Sequence, residues 1–413
     1  MRQLGTLLLL LMALPPVSSH GGEFSGYGEA KGFVYGERTD RSDPWGLAWG
    51  TLFAKWEEKI KETQVTSSMR AEWISGDEQG GRLFDPADRE IRRPPFSVRD
   101  LWVRHPLSPS IDLQVGRFQL GWGKTDGYSP ADAFLPRDLS DPFADEKIPL
   151  WAIRLSGQEG AVRYEAVGCP VTTPWRLPPL GSRNAPISAD AIPDGAELRE
   201  VDSSVPVEGF AALRVLASFG DWDVGAWGRV GVRPAPLLEF RADQAVPGSS
   251  GLEILIERRY VREQAVGVEA SRVIDSWVVR GEAAGLFSRD RDLGDAVIGA
   301  LSAERGFGDG TLLVTLAGNA IDPPVDETLL FDRALLPALI AAWNRTEEWG
   351  EWKVVSTSGL KRGDGLVKGE IGYNITDTWK ITVGGELPYG SKRGVLGALH
   401  DARRIHAAVR RSW

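Results

Sequence analysis

The sequence predicts an all-β chain: a transmembrane, antiparallel up-and-down β-barrel of about sixteen strands, within a range of about 14–18. Three observations predict it. Strand after strand alternates apolar and polar residues, and the polar positions carry a cation followed two residues later by an acid. Lys55/Glu57, Arg70/Glu72, Arg163/Glu165, Arg280/Glu282 and Lys368/Glu370 all fit, interleaved with Leu52, Ala54, Trp56, Met69, Ala71, Val279, Ala283, Gly369 and Ile371. Short turn signals alternate with long irregular segments. An export-type start and an aromatic last residue frame the chain.

The alternation is read first. Successive side chains of a strand point to opposite faces, so the pattern gives one apolar and one densely charged face. A soluble sandwich hides its apolar face and scatters charge on the other. Charges of both signs concentrated on one face, in strand after strand, imply a water-filled interior with lipid outside. Bulk composition agrees. The 413 residues are 42% hydrophobic and 25% charged, and after the first residues no run approaches the roughly 20 apolar residues of a spanning helix. A barrel escapes that test because only alternate residues meet lipid. A net charge of −9 without a basic stripe argues against a nucleic-acid partner. The 48 Gly suit bends and crowded strand crossings, and the 16 Trp suit bilayer interfaces.

The start reads as a secretory signal over residues 1–19: Arg2, an apolar run from Leu4 to Leu14, and Val17-Ser18-Ser19 before His20. The barrel then occupies 20–413. Cys169 stands alone and forms no internal disulfide. Strands are expected near 48–60 and 63–77 around Lys61-Glu62, and near 96–105 and 110–123 around Ser108-Pro109-Ser110. Further hairpin signals are Gly157-Gln158-Glu159-Gly160, Gly220-Asp221, Asp275-Ser276, Gly308-Asp309-Gly310 and Thr376-Asp377-Thr378. Long segments are expected at 78–93, 124–149, 176–205, 236–251 and 322–350, the asymmetry of an outer-membrane barrel. The apolar phase slips at Gly116-Arg117, where a β-bulge is expected. Leu329, Leu330, Leu336, Leu339, Ile340 and Trp343 sit at helical spacing, so a short loop helix is expected near 329–343.

The least generic stretch runs from Gly116-Arg117 through Trp122-Gly123-Lys124-Thr125-Asp126-Gly127 to Pro136-Arg137-Asp138, Asp141-Pro142 and Ile148-Pro149-Leu150-Trp151, preceded by Val98-Arg99-Asp100-Leu101-Trp102-Val103. This W-G-K-x-D-G…P-R-D pattern, covering about residues 96–155, resembles a Gram-negative family of porin-like outer-membrane barrels grouped with alginate-export-type proteins. The resemblance implies an outer-membrane barrel and supplies no substrate. The terminal Trp413, closing an alternating segment, resembles the C-terminal strand that the outer-membrane assembly machinery recognises.

Two sets of candidate functional residues follow. Lys55, Glu57, Arg70, Glu72, Asp100, Arg104, Arg154, Arg163, Glu165, Arg280, Glu282, Lys368, Glu370, Lys380 and Glu386 have apolar strand neighbours and are expected to line a pore. Lys124, Asp126, Asp132, Arg137, Asp138 and Asp141 are expected in a constriction that sets acids opposite wall cations, which would order water and select by charge. The same Asp and Pro residues also suit plain turns, with Arg137 pairing to a carboxylate. No catalytic residues, metal site or cofactor are expected: no Ser lies in a G-x-S-x-G context, the four His are scattered, and C-x-x-C-H is absent. The expected function is a channel in the bacterial outer membrane, monomeric or trimeric, passing small polar or charged solutes. A barrel enclosing a partner or exported polymer (a polysaccharide, or a cytochrome sheath) is the alternative, and an outer-membrane hydrolase a lesser one.

Overall fold

The computed structural model describes residues 22–37, 44–75, 81–179, 182–185, 197–201, 203–243, 253–322 and 333–413. The expected export signal at 1–19 lies outside the described residues.

One sheet of eighteen antiparallel strands dominates. In chain order they are β1 (Glu23–Tyr35), β2 (Gly46–Ile60), β3 (Thr63–Ile74), β4 (Phe96–Ser108), β5 (Ile111–Phe118), β6 (Leu150–Glu159), β7 (Val162–Val171), β8 (Glu208–Phe219) and β9 (Trp222–Val232). There follow β10 (Arg262–Ile274), β11 (Trp277–Phe287), β12 (Asp295–Phe307), β13 (Gly310–Asp322), β14 (Ala338–Glu347), β15 (Gly350–Gly359), β16 (Asp364–Asn374), β17 (Trp379–Gly390) and β18 (Arg404–Ser412). Each pairs with its chain neighbours. β1 also pairs with β18, from Tyr27 opposite Ser412 to Tyr35 opposite Arg404, so the sheet closes on itself. Trp413 extends this seam, its N–H donating to Gly26 O at 3.1 Å and its carbonyl accepting from Gly26 N at 3.1 Å.

Turns at 61–62, 109–110, 160–161, 220–221, 275–276, 308–309, 348–349 and 375–378 gather at one end with both chain ends of the sheet. Lys61, Gly160, Gly220, Asp275 and Gly308 adopt positive φ there, the backbone that two-residue hairpins need. The strand ends joined by the longer connections lie at the other end.

Eighteen strands is the upper end of the expected range. The two strands beyond the expected sixteen are β14, inside the segment 322–350 that read as one loop, and β15, joined to it by a turn at 348–349 that no expected hairpin signal marked. In β14 the inward Ala338 and Ile340 are buried against the interior while Leu339, on the other face, is exposed. Apolar residues on both faces erase the two-residue alternation and leave an accidental helical spacing. The helix expected near 329–343 is therefore strand from Ala338 onward, and residues 329–332 lie outside the described residues. The short helices in the described residues are 3-10 turns at Pro130–Asp132 and Gly397–Ala402.

β5 also ends earlier than the expected 123. Gly116 has φ +129°, and a Cβ there would lie 2.1 Å from Leu101 O, yet pairing to β4 and β6 runs unbroken through it. The slip in apolar phase is thus a glycine in a conformation closed to residues with a side chain, followed by a strand exit, without an inserted residue. Register shifts in this region fall instead between Ser68 and Met69, opposite Val98 and Asp100, and between Pro106 and Ser108 near the β4–β5 turn. Leu120 and Trp122, which looked like outward strand residues, are buried inside.

The two faces differ as the alternation implied. Outward positions carry exposed Val266, Val268 (59%), Leu301 (57%), Val383 and Ile405 (63%). Such a continuous apolar surface far exceeds what water tolerates on a soluble monomer. Trp222, Trp277, Phe307, Trp343, Trp352 and Trp379 ring the short-turn end, with ring contacts of 6.4, 6.0 and 6.3 Å running Trp277–Phe307–Trp343–Trp352. Trp45, Trp73, Phe96 and Phe287 are exposed toward the loop end. Two aromatic belts flanking an apolar band match the two interfaces of a bilayer. Replacing mid-band Val268 by Arg is expected to destabilise the bilayer-inserted barrel by about 2–4 kcal/mol in urea titrations, against near zero for the same change on a watered surface.

Candidate functional site

The segment 119–149 leaves β5, enters the barrel and returns to β6. Its path is set by one wall carboxylate. Glu282, near the middle of β11, accepts hydrogen bonds from Lys124 N (2.5 Å), Thr125 N (2.5 Å), Thr125 Oγ1 (2.9 Å), Ser129 Oγ (2.7 Å) and Ala131 N (3.0 Å). The Lys124, Thr125 and Ala131 N–H groups would lose this acceptor without Glu282, and each buried N–H left unmet costs about 1–3 kcal/mol. Asp132 does the same within the segment, accepting from Trp122 N (3.0 Å) and Gly123 N (2.9 Å) and pairing with Lys147.

Packing explains why the segment fits on this side. Phe134 meets Trp122, Phe210 and Trp227 at ring distances of 5.7, 5.8 and 5.6 Å. Around it the inward wall positions are small: Ala152, Ala212, Ala265, Ala284, Ala296, Ala300, Ala317 and Ala338 all join the same buried cluster as Phe134 and Leu135. Large residues there would fill the volume that the segment occupies.

The far side of the segment is held by charge. Arg70 Nη1 donates to both oxygens of Glu146 (2.8 and 2.7 Å), and Arg99 pairs with Glu146 at 2.5 Å. On β18, Arg404 donates to both oxygens of Asp141 at 2.9 and 2.7 Å and binds Glu386 at 3.1 Å. Lys368 Nζ donates to Phe143 O at 3.2 Å. Asp138 is fully buried between Arg93 (2.8 Å) and Arg176 (3.5 Å), and Asp88 joins Arg176 to Arg117. Residues 81–95, 119–149 and 172–179 are thereby tied into one unit. Burial disfavours the Asp138 charge, but Arg93 and Arg176 outweigh it and hold the carboxyl well below the usual carboxylate range. Burial likewise opposes Asp141, and Arg404 outweighs it.

The expected constriction residues are thus placed as follows. Lys124 Nζ reaches Ser271 Oγ (3.2 Å), Asp126 pairs with Arg280 (3.2 Å), and Arg137 pairs with Asp145 (2.7 Å) within the segment. Asp138 and Asp141 touch arginines directly. The anticipated field between acids and cations across a gap is replaced here by pairs in contact, because the segment crosses far enough to dock on the opposite wall.

The expected wall residues fall on the inward face by strand alternation. Lys55 pairs with Glu57 (2.8 Å), Arg70 with Glu72 (3.1 Å) and Arg280 with Glu304 (2.7 Å), while Ser68 donates to Asp100 (2.7 Å). Lys380 pairs with Glu351, Arg154 contacts Gln114, and Glu370 and Glu386 flank His406. Arg104, Asp112, Arg163, Glu165 and Arg214 line a cavity of about 750 Å³ at the short-turn end, and Trp122 Nε1 of the segment donates to Glu165 at 2.6 Å. Sequence reasoning missed Asp88, Arg93, Arg99, Arg117, Glu146, Arg176 and Arg404, which lie in loops or at strand ends where no alternation marks them. Glu37, His400 and Asp401 converge near the rim, but the Arg403 guanidinium already sits 3.3 Å from Glu37 and 2.8 Å from His400 Nδ1.

These features define a closed eighteen-stranded antiparallel barrel with a segment docked across its interior. No protein-family model matches the chain, and no curated protein matches it. Among solved structures, a variant of the Rh. blastica porin aligns at 10% identity and a TM-score of 0.45, over 95% of this chain and 100% of the porin. A triple mutant of the Rhodopseudomonas blastica porin aligns at 10% identity and a TM-score of 0.42 over the same shares.

Two outcomes are expected. Glu282→Ala should leave the barrel folded but speed proteolysis within 119–149 by at least tenfold, and Phe134→Ala should cost about 3–5 kcal/mol of segment docking. The Asp138 and Asp141 carboxyls are depressed in the folded state, so their contribution is complete above the ordinary Asp value of about 3.9 and is lost as pH falls through the folded values. Proteolytic exposure of the segment should therefore stay flat from pH 8 to 5 and rise below about pH 3.

Proposed function

We propose that the chain is a porin-like channel of the bacterial outer membrane that passes small polar or charged solutes, without catalysing a reaction. The observation that carries this reading is the opposite character of the two faces of one closed sheet. Outward positions are apolar and exposed; inward positions carry Lys55, Glu57, Arg104, Arg163, Glu351, Lys380 and their partners. Charged walls have a role only if water stands against them, and an apolar exterior is stable only in lipid.

The docked segment narrows the route. It spans the interior from Glu282 on β11 to Arg404 on β18 and leaves a cavity of about 750 Å³ at the short-turn end, where Trp122 meets Glu165, as a vestibule. Solutes passing it must be small, and those held briefly in the vestibule meet Arg104, Arg163 and Arg214 beside Asp112 and Glu165. The segment is the W-G-K-x-D-G…P-R-D stretch that carries the family resemblance, which supports placing the chain among the porin-like barrels grouped with alginate-export-type proteins. The strand ending at Trp413 would be the element presented to the assembly machinery.

Liposome swelling with solutes of graded size and charge tests the reading. Entry is expected for the smallest solutes and should fall steeply with size; no permeability to any solute would contradict the channel and favour a barrel enclosing a partner or polymer. In planar bilayers, Arg104→Gln with Arg163→Gln should shift selectivity toward cations by a factor of two or more. Unchanged selectivity would remove these residues from the conducting path.

A further inference from the structure

The outward face of the barrel carries a feature that neither conduction nor segment docking uses. At the short-turn end, arginines stand directly opposite tryptophans on neighbouring strands, with both side chains on the outer face. Trp222 is opposite Arg272, Trp277 opposite Arg305, Trp352 opposite Arg345, and Trp379 opposite Arg411. In three of these pairs the guanidinium stacks on the indole, at 5.2 Å for Arg272, 5.5 Å for Arg305 and 5.8 Å for Arg411. Arg305 also lies 4.7 Å from the centre of Phe307.

We propose that this Trp–Arg girdle binds the phosphate groups of anionic phospholipids in the leaflet at the short-turn end. The inference rests on the membrane-spanning reading of the barrel. An arginine facing lipid costs about 2–4 kcal/mol at midplane and about 0–1 near the interface, so four of them at one height mark an interface level. Stacking on a ring fixes the planar guanidinium and leaves its N–H edge open, the geometry that takes a phosphate in two parallel hydrogen bonds. Arg305 and Arg411 have no carboxylate within ion-pair distance among the described residues. Arg272 also meets Asp221 at 3.5 Å and Arg345 meets Glu347 at 2.6 Å, so those two are partly satisfied by protein. Arg305 and Arg411 are accordingly the strongest positions. Toward the middle of the same strands the outward residues turn to Val266, Val268, Leu301, Val383 and Ile405, which seat acyl chains and exclude a soluble polyanion as the fitted occupant.

The test uses the full-length barrel in detergent micelles doped with phosphatidylglycerol or phosphatidylcholine of identical chains, read by native mass spectrometry. The wild-type protein should retain phosphatidylglycerol over phosphatidylcholine several-fold. Arg305→Gln with Arg411→Gln should bring that ratio close to one, and Arg305→Lys with Arg411→Lys should restore only part of it, because a lysine supplies charge without the planar fork. Equal retention of the two lipids by the wild type, or an undiminished preference in the glutamine variant, would overturn the proposal. Conductance in neutral-lipid bilayers is read in parallel. It depends on the lumen alone, so its loss would count against the channel reading and leave the lipid comparison standing. Heat-modifiable migration on gels confirms that each variant is folded before either comparison is made.

Discussion

The seam between β1 and β18 is the constraint from which the rest of the structure follows. A sheet with an open edge presents unpaired N–H and C=O groups, and in hydrocarbon each such group costs several kcal/mol. Pairing Glu23–Tyr35 with Arg404–Ser412, extended by the mutual hydrogen bonds of Gly26 and Trp413, removes that edge. Only then can the outward face be apolar throughout, and only then does the charged face enclose a volume of its own. Glu29 on β1 and Arg410 on β18 lie opposite each other in this seam and pair at 2.7 Å from the inner side, so the closure is also the place where wall charges bridge two ends of the chain.

Enclosing a volume raises the question of what fills it, and the wall answers in two halves. Strands from β8 to β14 present small alanines inward, and the apolar residues of 119–149 pack there around Phe134, with Glu282 collecting backbone and hydroxyl donors that packing alone would strand. The opposite half presents Arg70, Arg99 and Arg404, which collect Glu146 and Asp141 of the same segment. The segment is thus amphipathic in the sense that matters here: apolar toward one wall and acidic toward the other. Buried ion pairs of this kind add less stability than their number suggests, because desolvation offsets attraction. Removing one partner, however, leaves a buried charge unmet. This asymmetry makes the docking specific in position even where its net strength is modest.

Much of the fold was legible because a lipid-facing strand obeys a strict rule: alternate residues must be apolar. Lys55/Glu57 and Arg280/Glu282 are flanked by such residues, and the rule placed them inward. The rule fails where both faces are apolar. In β14, Leu339 faces out and Ile340 faces the docked segment, so the strand looked helical and was missed. It fails again at β5, where Phe118, Leu120 and Trp122 continue an apolar phase that belongs to the interior core after the chain has left the sheet. The segment's acidic and proline-rich character was visible, but its partners were not. Arg93, Arg176 and Arg404 come from distant stretches, Asp141 and Arg404 being 263 residues apart, and nothing local marks such a pairing.

The central claim is that the charged face is wet and the apolar face is in lipid, and paired outward and inward wall positions away from the docked segment measure it directly. In a Cys169→Ser background, single cysteines at Val266, Val268 and Val354 on the outer face and at Lys353 and Glu370 on the inner face would carry a small fluorophore in bilayer-reconstituted protein. The account predicts that lipid-borne spin labels quench positions 266, 268 and 354 while aqueous iodide quenches 353 and 370. Quenching by iodide at all five positions, or the opposite pattern, would contradict it.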